Sequence, residues 1–591
     1  MSKICGIVSF KKSCDIGPAL RRMYEASWQP HYLQKELWQD TAAGLGHFSL
    51  GIFGHERQPF FNELRNEAVL FCGKLFDDGR LDARLKNSGS TAAGGGNEGV
   101  LVKNLLDHFG PGGLKDINGL FSFAKWNASS RRLHLAGDRY GFRPLYYYHD
   151  ASRRLFAFSS DLRGILATGF PPLRVNWLAV NSFLRFGHLM GDETLFEDIF
   201  RLPAASVLRF ENNEIHLSSY WSLEDIPIAG DMTVDKSVEG CIDLFRQAIG
   251  RRLNTSPVKH IVLLSGGQDS RHIAAELKRQ GVEFTSYTTS GFKPSIQDKV
   301  LAKRAAEALG LENVYFPLPK KDFLTGYWAR AHALIDYEAD LHEWVLPLVD
   351  ALPGPSYVNF DGIVGDTCLS SVYLNAEDYA LARKGKIDEL TRKRVDRELL
   401  PPIFHPSISK HLDRRLLYET VRAQYQRFAG HPNILNFSVM SSRTRRGIAL
   451  FAFKMVSEKA ESFFPFADND YFEFAMSIPP ELKLDGQMHL RVLHRAYPEL
   501  RRVPTTKEVD KSTYLFDEID YLRQKRKYLL RGLVRMLRGR LWAFNRHTAI
   551  PRLLRDCAMA SLGRDSRFFL CNPANVVLAE WFDRYFPDGV D

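Results

Sequence analysis

Chemistry first offers itself in the string His260-Ile-Val-Leu-Leu-Ser265-Gly266-Gly267-Gln268-Asp269-Ser270-Arg271. The apolar run reads as a buried strand, the paired glycines as a tight loop, and Arg271 to Arg279 as a helical period. Glycines let a backbone approach an anion closely, and a helix start adds free N–H groups and the positive end of its macrodipole. The string therefore predicts a phosphate cradle. It is not the Walker P-loop, because no Gly-Lys-Ser/Thr stands at the required spacing.

The string resembles the SGGxDS pyrophosphate loop of ATP pyrophosphatases, which transfer AMP to a carboxylate and release pyrophosphate. On that resemblance Ser265, Gly266, Gly267, Asp269 and Ser270 would hold ATP. Asp269 is suited to Mg²⁺, which binds few protein carboxylates and takes its other oxygens from phosphate and water. The loop by itself does not choose among the ligases that use it.

Surrounding segments narrow the choice. From Ile4 to about Glu508 the chain resembles asparagine synthetase in the order and spacing of its motifs. These are Gly137-Asp138-Arg139-Tyr140-Gly141-Phe142-Arg143-Pro144-Leu145-Tyr146, Phe158-Ser159-Ser160-Asp161, Thr194-Leu195-Phe196 and Arg201-Leu202-Pro203. Further along stand Tyr357 to Asp366, Phe464-Pro465-Phe466-Ala467-Asp468 and Ile478-Pro479-Pro480-Glu481-Leu482-Lys483. The resemblance implies an N-terminal glutaminase that feeds ammonia to a C-terminal synthetase, which adenylates a carboxylate. It makes Asp366 a second Mg²⁺ ligand, beside Gly365, and gives Asp361 the acidic role near the attacking amine. The spacing from Asp361 to Asp366 is longer than in the usual GEGxDE form, and both also read as N-caps or solvated loop carboxylates. Leu263, Tyr287 and Thr288 would contact adenine and ribose by analogy. Where the family carries a catalytic lysine, this chain has Leu490 with Arg491 beside it. Arg491 is then the substitute, and Lys507 a second cation that could reach phosphate, although either also reads as a surface cation.

The N-terminal half departs from the resemblance further. The family's glutaminase needs cysteine as its first residue, because the free α-amine serves as base for the thiol. Here Cys5 follows Met-Ser-Lys-Ile. Removal of Met1 would still leave the amine of Cys5 in an amide. Trp28-Gln29-Pro30-His31 stands where the family has Arg-Gly-Pro-Asp, Ser49 where it has a glutamine-binding arginine, and Cys72-Gly73-Lys74 where it has Asn-Gly-Glu. Gly96 replaces the aspartate before Asn97-Glu98. With no guanidinium fork for a carboxylate and no acid for an amine, glutamine binding is expected to fail. These positions read as a vestigial glutaminase, and the domain as a scaffold.

The elements that must position these groups follow two grammars. Short alternating runs such as Gly44 to Phe53, Ala68 to Cys72 and Leu133 to Ala136 make the first 220 or so residues strand-rich, with a Gly-rich loop at Ala92 to Gly96. A linker near Ile226 to Asp235 leads to a helix from about Ser237. From His260 onward, strands (His260 to Leu264, Phe284 to Thr289, Val314 to Pro317) alternate with helical periods, which predicts a parallel sheet, and helices dominate after Glu377. The expected class is thus α+β followed by α/β. By resemblance, residues 1–225 form an Ntn-type sandwich of antiparallel sheets flanked by helices. Residues 226–591 form a parallel α/β sheet carrying the SGGxDS loop and a large helical region.

Bulk composition sets outer limits. A chain of 591 residues exceeds what one core usually organises. Hydrophobic content of 45% and charged content of 25% exclude disordered and fibrous classes. The formal charge of +10 mildly favours anionic partners. Seven cysteines without a CxxC pair argue against a disulfide framework or zinc site and fit a reducing cytoplasm. No apolar stretch reaches about 18 residues, so neither secretion nor a transmembrane segment is expected. Tyr521 to Trp542 reads as a basic amphipathic helix, either a docking face or a packed helix with a solvated side. No nucleic-acid-binding module is recognisable.

The expected activity is ATP- and Mg²⁺-dependent amide formation on a peptide or small carboxylate. By resemblance to β-lactam synthetase and lasso-peptide cyclase, the form favoured is macrolactam closure of a precursor peptide, with a maturation protease as a further partner. The alternatives are a glutamine-hydrolysing asparagine synthetase or sugar-acid amidotransferase, and a catalytically degenerate binding scaffold.

Overall fold

The computed structural model describes residues 2–11, 15–27, 29, 32–53, 57–77, 79–89, 96–253, 258–289, 297–317, 326–340, 342–354, 357–369, 374–396, 404–509, 534, 536, 541–544, 549–550 and 573–590. Outside them lie Trp28, Pro30 and His31, the loop at 92–95, and most of the basic segment 521–542.

Among the described residues, twelve strands form the N-terminal half: β1 (Lys3–Ser9), β2 (Gln34–Gln39), β3 (Ala43–Ser49), β4 (Phe60–Phe61), β5 (Glu67–Leu75), β6 (Gly119–Asn127), β7 (Arg132–Gly137), β8 (Tyr146–Asp150), β9 (Leu155–Ser159), β10 (Ile199–Arg201), β11 (Ser206–Glu211) and β12 (Glu214–Ser219). They make two six-stranded sheets of order β10-β8-β9-β1-β3-β2 and β12-β11-β7-β6-β5-β4, with antiparallel pairing. Side-chain alternation along β1 sorts its residues between two cores. Ile4 and Val8 join Leu70, Trp126 and Leu135 between the sheets, whereas Cys5 and Ile7 join Leu20 and Met23 of the helix Gly17–Ser27 on the other face. The expected antiparallel sandwich is therefore observed.

The C-terminal half is built on β13 (Lys259–Leu263), β14 (Phe284–Thr289), β15 (Asn313–Phe316), β16 (Tyr357–Phe360) and β17 (Ala460–Phe463). Their order is β15-β14-β13-β16-β17, all parallel. Helices Gln268–Arg279 and Gln297–Leu309 supply crossovers, as the alternating periods predict. The helix expected from Ser237 begins three residues earlier and runs Val234–Leu253. Sequence reading missed β17, whose Ala-Glu-Ser-Phe is too short and mixed to signal a strand. Its pairing with β16 alone makes it one.

Conserving the geometry between halves falls to buried ion pairs. Asp138 accepts the backbone N–H groups of Tyr140, Phe142 and Arg143 at 3.0 Å, a turn that aims Arg143 at Glu461 of β17, 2.5 Å away. Lys454 lies 2.9 Å from Asp161 and 2.7 Å from Asp336, and Lys3 lies 2.6 Å from Asp161. Asp468 takes Arg252 and the Asn118 amide, each at 2.8 Å. The family motifs quoted from the sequence thus serve largely to clasp the two halves.

Candidate functional site

The site is assembled from the C-terminal ends of β13 and β16, the places where open α/β sheets hold ligand-binding groups. Beyond β13, the loop closes on itself. The Ser265 N–H donates to Ser270 Oγ at 3.0 Å, and the Gly267 N–H to Ser265 Oγ at 3.1 Å. The Gly266 N–H donates at 2.8 Å to Asp298, a carboxylate from the next crossover helix that sequence reading did not single out. Burial pushes the Asp298 carboxyl up, against that hydrogen bond and the nearby Arg271 charge.

A strip of chain near residue 505 is laid over this loop. The Thr506 N–H donates to the Gly266 carbonyl at 2.9 Å, and a Cβ on Gly266 would stand 2.6 Å from Thr506 Cγ2. Buried Arg271 fixes the strip by donating to the carbonyls of Val503 (2.9 Å), Pro504 (2.7 Å) and Gly266 (3.1 Å). Lys507 is thereby delivered to the site, with Nζ 2.9 Å from Asp366 Oδ1.

Beyond β16, the chain wraps Asp269. A Cβ on Gly362 would meet Asp269 Cβ at 2.6 Å, and one on Gly365 would meet Asp269 Oδ1 at 2.4 Å. Between them Val364 holds φ at 83°, a left-handed conformation costly for a β-branched residue. The charges of Asp366 and Asp361 both raise the cost of ionising Asp269. The Asp269 carboxyl is pushed well up by burial and then by the Asp366 charge, with Lys507 opposing. Its side chain remains 21% exposed, so one edge faces the open site. Asp361 is pushed up to about 6 by burial, although the Ile363 N–H (3.1 Å) and the Asn359 amide (3.2 Å) donate to its oxygens. Those bonds give Asp361 a loop-holding task, distinct from the free acid implied by the resemblance.

Several sequence-derived positions lie elsewhere. Arg491 does not join the cluster: it is partly exposed on the helix Met488–Ala496 and pairs with Asp485 at 2.5 Å. Helix phase is the reason, since consecutive residues point about 100° apart. The residue that does face the cluster is fully buried His489, whose Nδ1 is 3.2 Å from Asp269 Oδ1. Thr288 is buried, with Oγ1 2.7 Å from the Leu264 carbonyl and 3.0 Å from Asn313 Oδ1, so its hydroxyl is engaged inside the sheet. Tyr287 and Leu263 sit side by side, both half-buried, with Tyr287 against Phe316 at 5.8 Å.

In the N-terminal half an open pocket is lined by Ser2, Ser49, Gly73, Lys74, Gly96, Glu98 and Glu461 among others, and Cys5 is not part of its wall. Cys5 lies mid-strand, paired with Gly46 and Ser159 on either side, and fully buried. Burial pushes its thiol up to about 12, with the Asp161 charge adding to the effect. Lys74 crosses the pocket to Glu98 at 2.8 Å. Cys72 Sγ sits 2.6 Å from the Ser2 carbonyl and takes the Arg143 guanidinium at 3.2 Å. Gly73 is required by close approach, since a Cβ there would stand 2.3 Å from the Leu120 carbonyl.

Among the described residues no helix is long and apolar enough to cross a membrane. Residues 1–221 match the glutamine amidotransferase domain family, and residues 241–345 match asparagine synthase. Asparagine synthetase [glutamine-hydrolyzing] 2 of Bacillus subtilis is 29% identical over 290 residues, covering 46% of this chain and 38% of that protein. Amidase chry2 of Gibberella zeae is 28% identical over 290 residues, covering 46% of this chain and 42% of its own. These two matches thus span about two fifths of either relative. A longer match, at 22% identity over 533 residues and 84% of each chain, is asparagine synthetase [glutamine-hydrolyzing] 3 of Bacillus subtilis. An amidotransferase-type match is thus followed along the chain by an asparagine-synthase-type match, and the chain is similar to an asparagine synthetase over most of its length.

Proposed function

We propose that this protein is an ATP-dependent amide-forming ligase that adenylates a substrate carboxylate and takes its amine from the substrate rather than from glutamine. The observation that carries the reading is the convergence of Asp269, Asp366 and Lys507 beside the loop from Ser265 to Ser270. In the proposed reaction the carboxylate attacks the α-phosphorus of ATP and pyrophosphate leaves. The amine then attacks the acyl carbon, AMP leaves, and the amine gives up a proton.

Mg²⁺ fits as the partner of ATP at this place. Among the described residues there is no cluster of three or more His, Cys, Asp and Glu set to hold a metal ion, so a protein cage is not the fit. Two neighbouring carboxylates, Asp269 and Asp366, suit an ion that draws its remaining oxygens from phosphate and water. When bound, such an ion would offset negative charge on the phosphates. Asp269 and Asp366 would hold it, and Lys507 could transfer its ion pair from Asp366 to the leaving pyrophosphate.

The source of the amine follows from the other half. An internal, fully buried Cys5 with its thiol near 12 has neither a free amine as base nor access to the pocket. An amine on the substrate itself accounts for a ligase with such a half. The formal charge of +10 suits an acidic peptide, and closure of a peptide's amine onto an Asp or Glu side chain is the form we put forward. Glutamine-dependent synthesis is the second reading, favoured by similarity to the glutamine-hydrolysing asparagine synthetases of Bacillus subtilis.

The deciding experiment supplies ATP and Mg²⁺ with glutamine and aspartate, and separately with candidate acidic peptides. Pyrophosphate release only with a peptide, loss of one water from its mass, and abolition in Asp269→Ala are expected. Glutamate release that disappears in Cys5→Ala would overturn the substrate-amine reading in favour of the second.

A further inference from the structure

Asp269 is backed by a buried pair of imidazoles. His272 stands one helical turn after it on Gln268–Arg279, and His489 comes from the helix Met488–Ala496. His272 Nδ1 lies 3.3 Å from His489 Nε2, and His489 Nδ1 lies 3.2 Å from Asp269 Oδ1. Both histidines are fully buried. Phe245 packs on His272 at 4.1 Å, and Phe466 is within 6 Å of both rings, at 5.6 and 5.8 Å.

The last link of this chain is unfinished. At 3.2 Å, His489 Nδ1 and Asp269 Oδ1 are within reach but not aligned as a hydrogen bond, and neither atom has another hydrogen-bond partner. Buried polar atoms left in this way cost free energy and mark places where a structure is held ready for something else. Nδ1 faces the Asp269 carboxylate and Nε2 faces His272 Nδ1, so each ring nitrogen has one neighbour. Against the carboxylate oxygen, the proton of a neutral ring belongs on Nδ1. Nε2 is then an acceptor, which sets His272 as the donor from Nδ1.

We propose that His489 is a positioning residue for Asp269: its Nδ1–H, set by His272, completes a hydrogen bond to Oδ1 and turns Oδ2 towards the ligand. The inference rests on the reading of Asp269 as a metal-holding carboxylate. A donor behind a ligating carboxylate fixes its orientation, and loss of such a partner typically weakens metal binding by about 10–100-fold.

The test uses Mn²⁺ with ATP, followed by electron paramagnetic resonance titration of the full chain. An asparagine amide overlays the Nδ1 position of histidine, whereas a glutamine amide overlays Nε2. His489→Asn is therefore expected to bind Mn²⁺ within about threefold of the parent, and His489→Gln and His489→Ala about 10–100-fold more weakly. Thermal unfolding of all three identifies variants that fail to fold, and a volume effect alone would favour Gln over Asn. Parental Mn²⁺ binding by folded His489→Gln would overturn the positioning role. Asp269→Asn separates the two readings: parental binding by that variant would remove the metal reading and the positioning role with it. Weak binding by Asp269→Asn beside parental binding by His489→Gln would remove the positioning role alone.

Discussion

At the residue scale, the site is a balance between carboxylates that burial would rather keep neutral and a fold that leaves them no room to part. Asp361 shows the sign of this. Its carboxyl titrates near 6 in the folded chain, above its ordinary value of 3.8, so the folded state holds the proton more tightly. The resulting stability is present below about pH 4 and is lost as pH rises through 6. Asp361→Asn keeps an acceptor for the Ile363 N–H and carries no charge. Its melting temperature, relative to the parent, is expected to rise between pH 4 and pH 7 and to level off above. A constant difference across that range would show that Asp361 ionises without cost. Gly365 offers a steric counterpart. A methyl group there would stand 2.4 Å from Asp269 Oδ1, and Gly365→Ala is expected to lose about 1–3 kcal/mol and at least about tenfold in pyrophosphate release, a misplacement effect. Chemical denaturation and a pyrophosphate assay measure the two.

At the scale of elements, the decisive piece is the irregular strip from Val503 to Glu508. It has no regular hydrogen-bond ladder of its own, and Arg271 substitutes for one by donating to two of its carbonyls and to that of Gly266. Replacing Arg271 with Met leaves those carbonyls short of a donor and frees the strip that carries Lys507. A loss of about 2–4 kcal/mol is expected, since hydrogen bonds to charged groups contribute about 1.5–3 kcal/mol each and partial rehydration recovers some. Limited proteolysis would then cut near Val503 before the rest of the chain. A variant with unchanged stability and cleavage pattern would show that the strip is held by its packing. The sequence announced the loop from Ser265 to Ser270 because strand, glycines and helix lie consecutively. It did not announce Asp298 or His489, because each reaches the site from a different helix. His489 had one faint signal, a histidine beside the expected lysine position, but helix phase decided which neighbour faced inward.

At the scale of the whole molecule, the N-terminal half is fastened to the C-terminal half through buried contacts, the ion pairs Arg143–Glu461 and Lys454–Asp161 among them. Asp468 accepts the Asn118 amide across the halves at 2.8 Å and is fully buried, flanked within its own half by Arg252 at 2.8 Å and Arg251 at 2.7 Å. Their charges hold its carboxyl below the usual range against burial. Asp468→Asn strips the partner from a buried guanidinium and is expected to cost about 3–5 kcal/mol, read as a lower denaturant midpoint. An unchanged midpoint would mean that the clasp contributes nothing net.

The sequence alone determined the two folding grammars and the strand, glycine loop and helix from His260 to Arg279, because each is written in neighbouring residues: alternation, paired glycines, a helical period. Tertiary structure decided the rest. It placed Cys5 in the wall of a core and not in a pocket, turned Arg491 away from Asp269, and made a strand of Ala460–Phe463. The reason is common to all three. Which face a side chain presents depends on helix phase and strand register against partners hundreds of residues away, and local sequence carries no record of that distance.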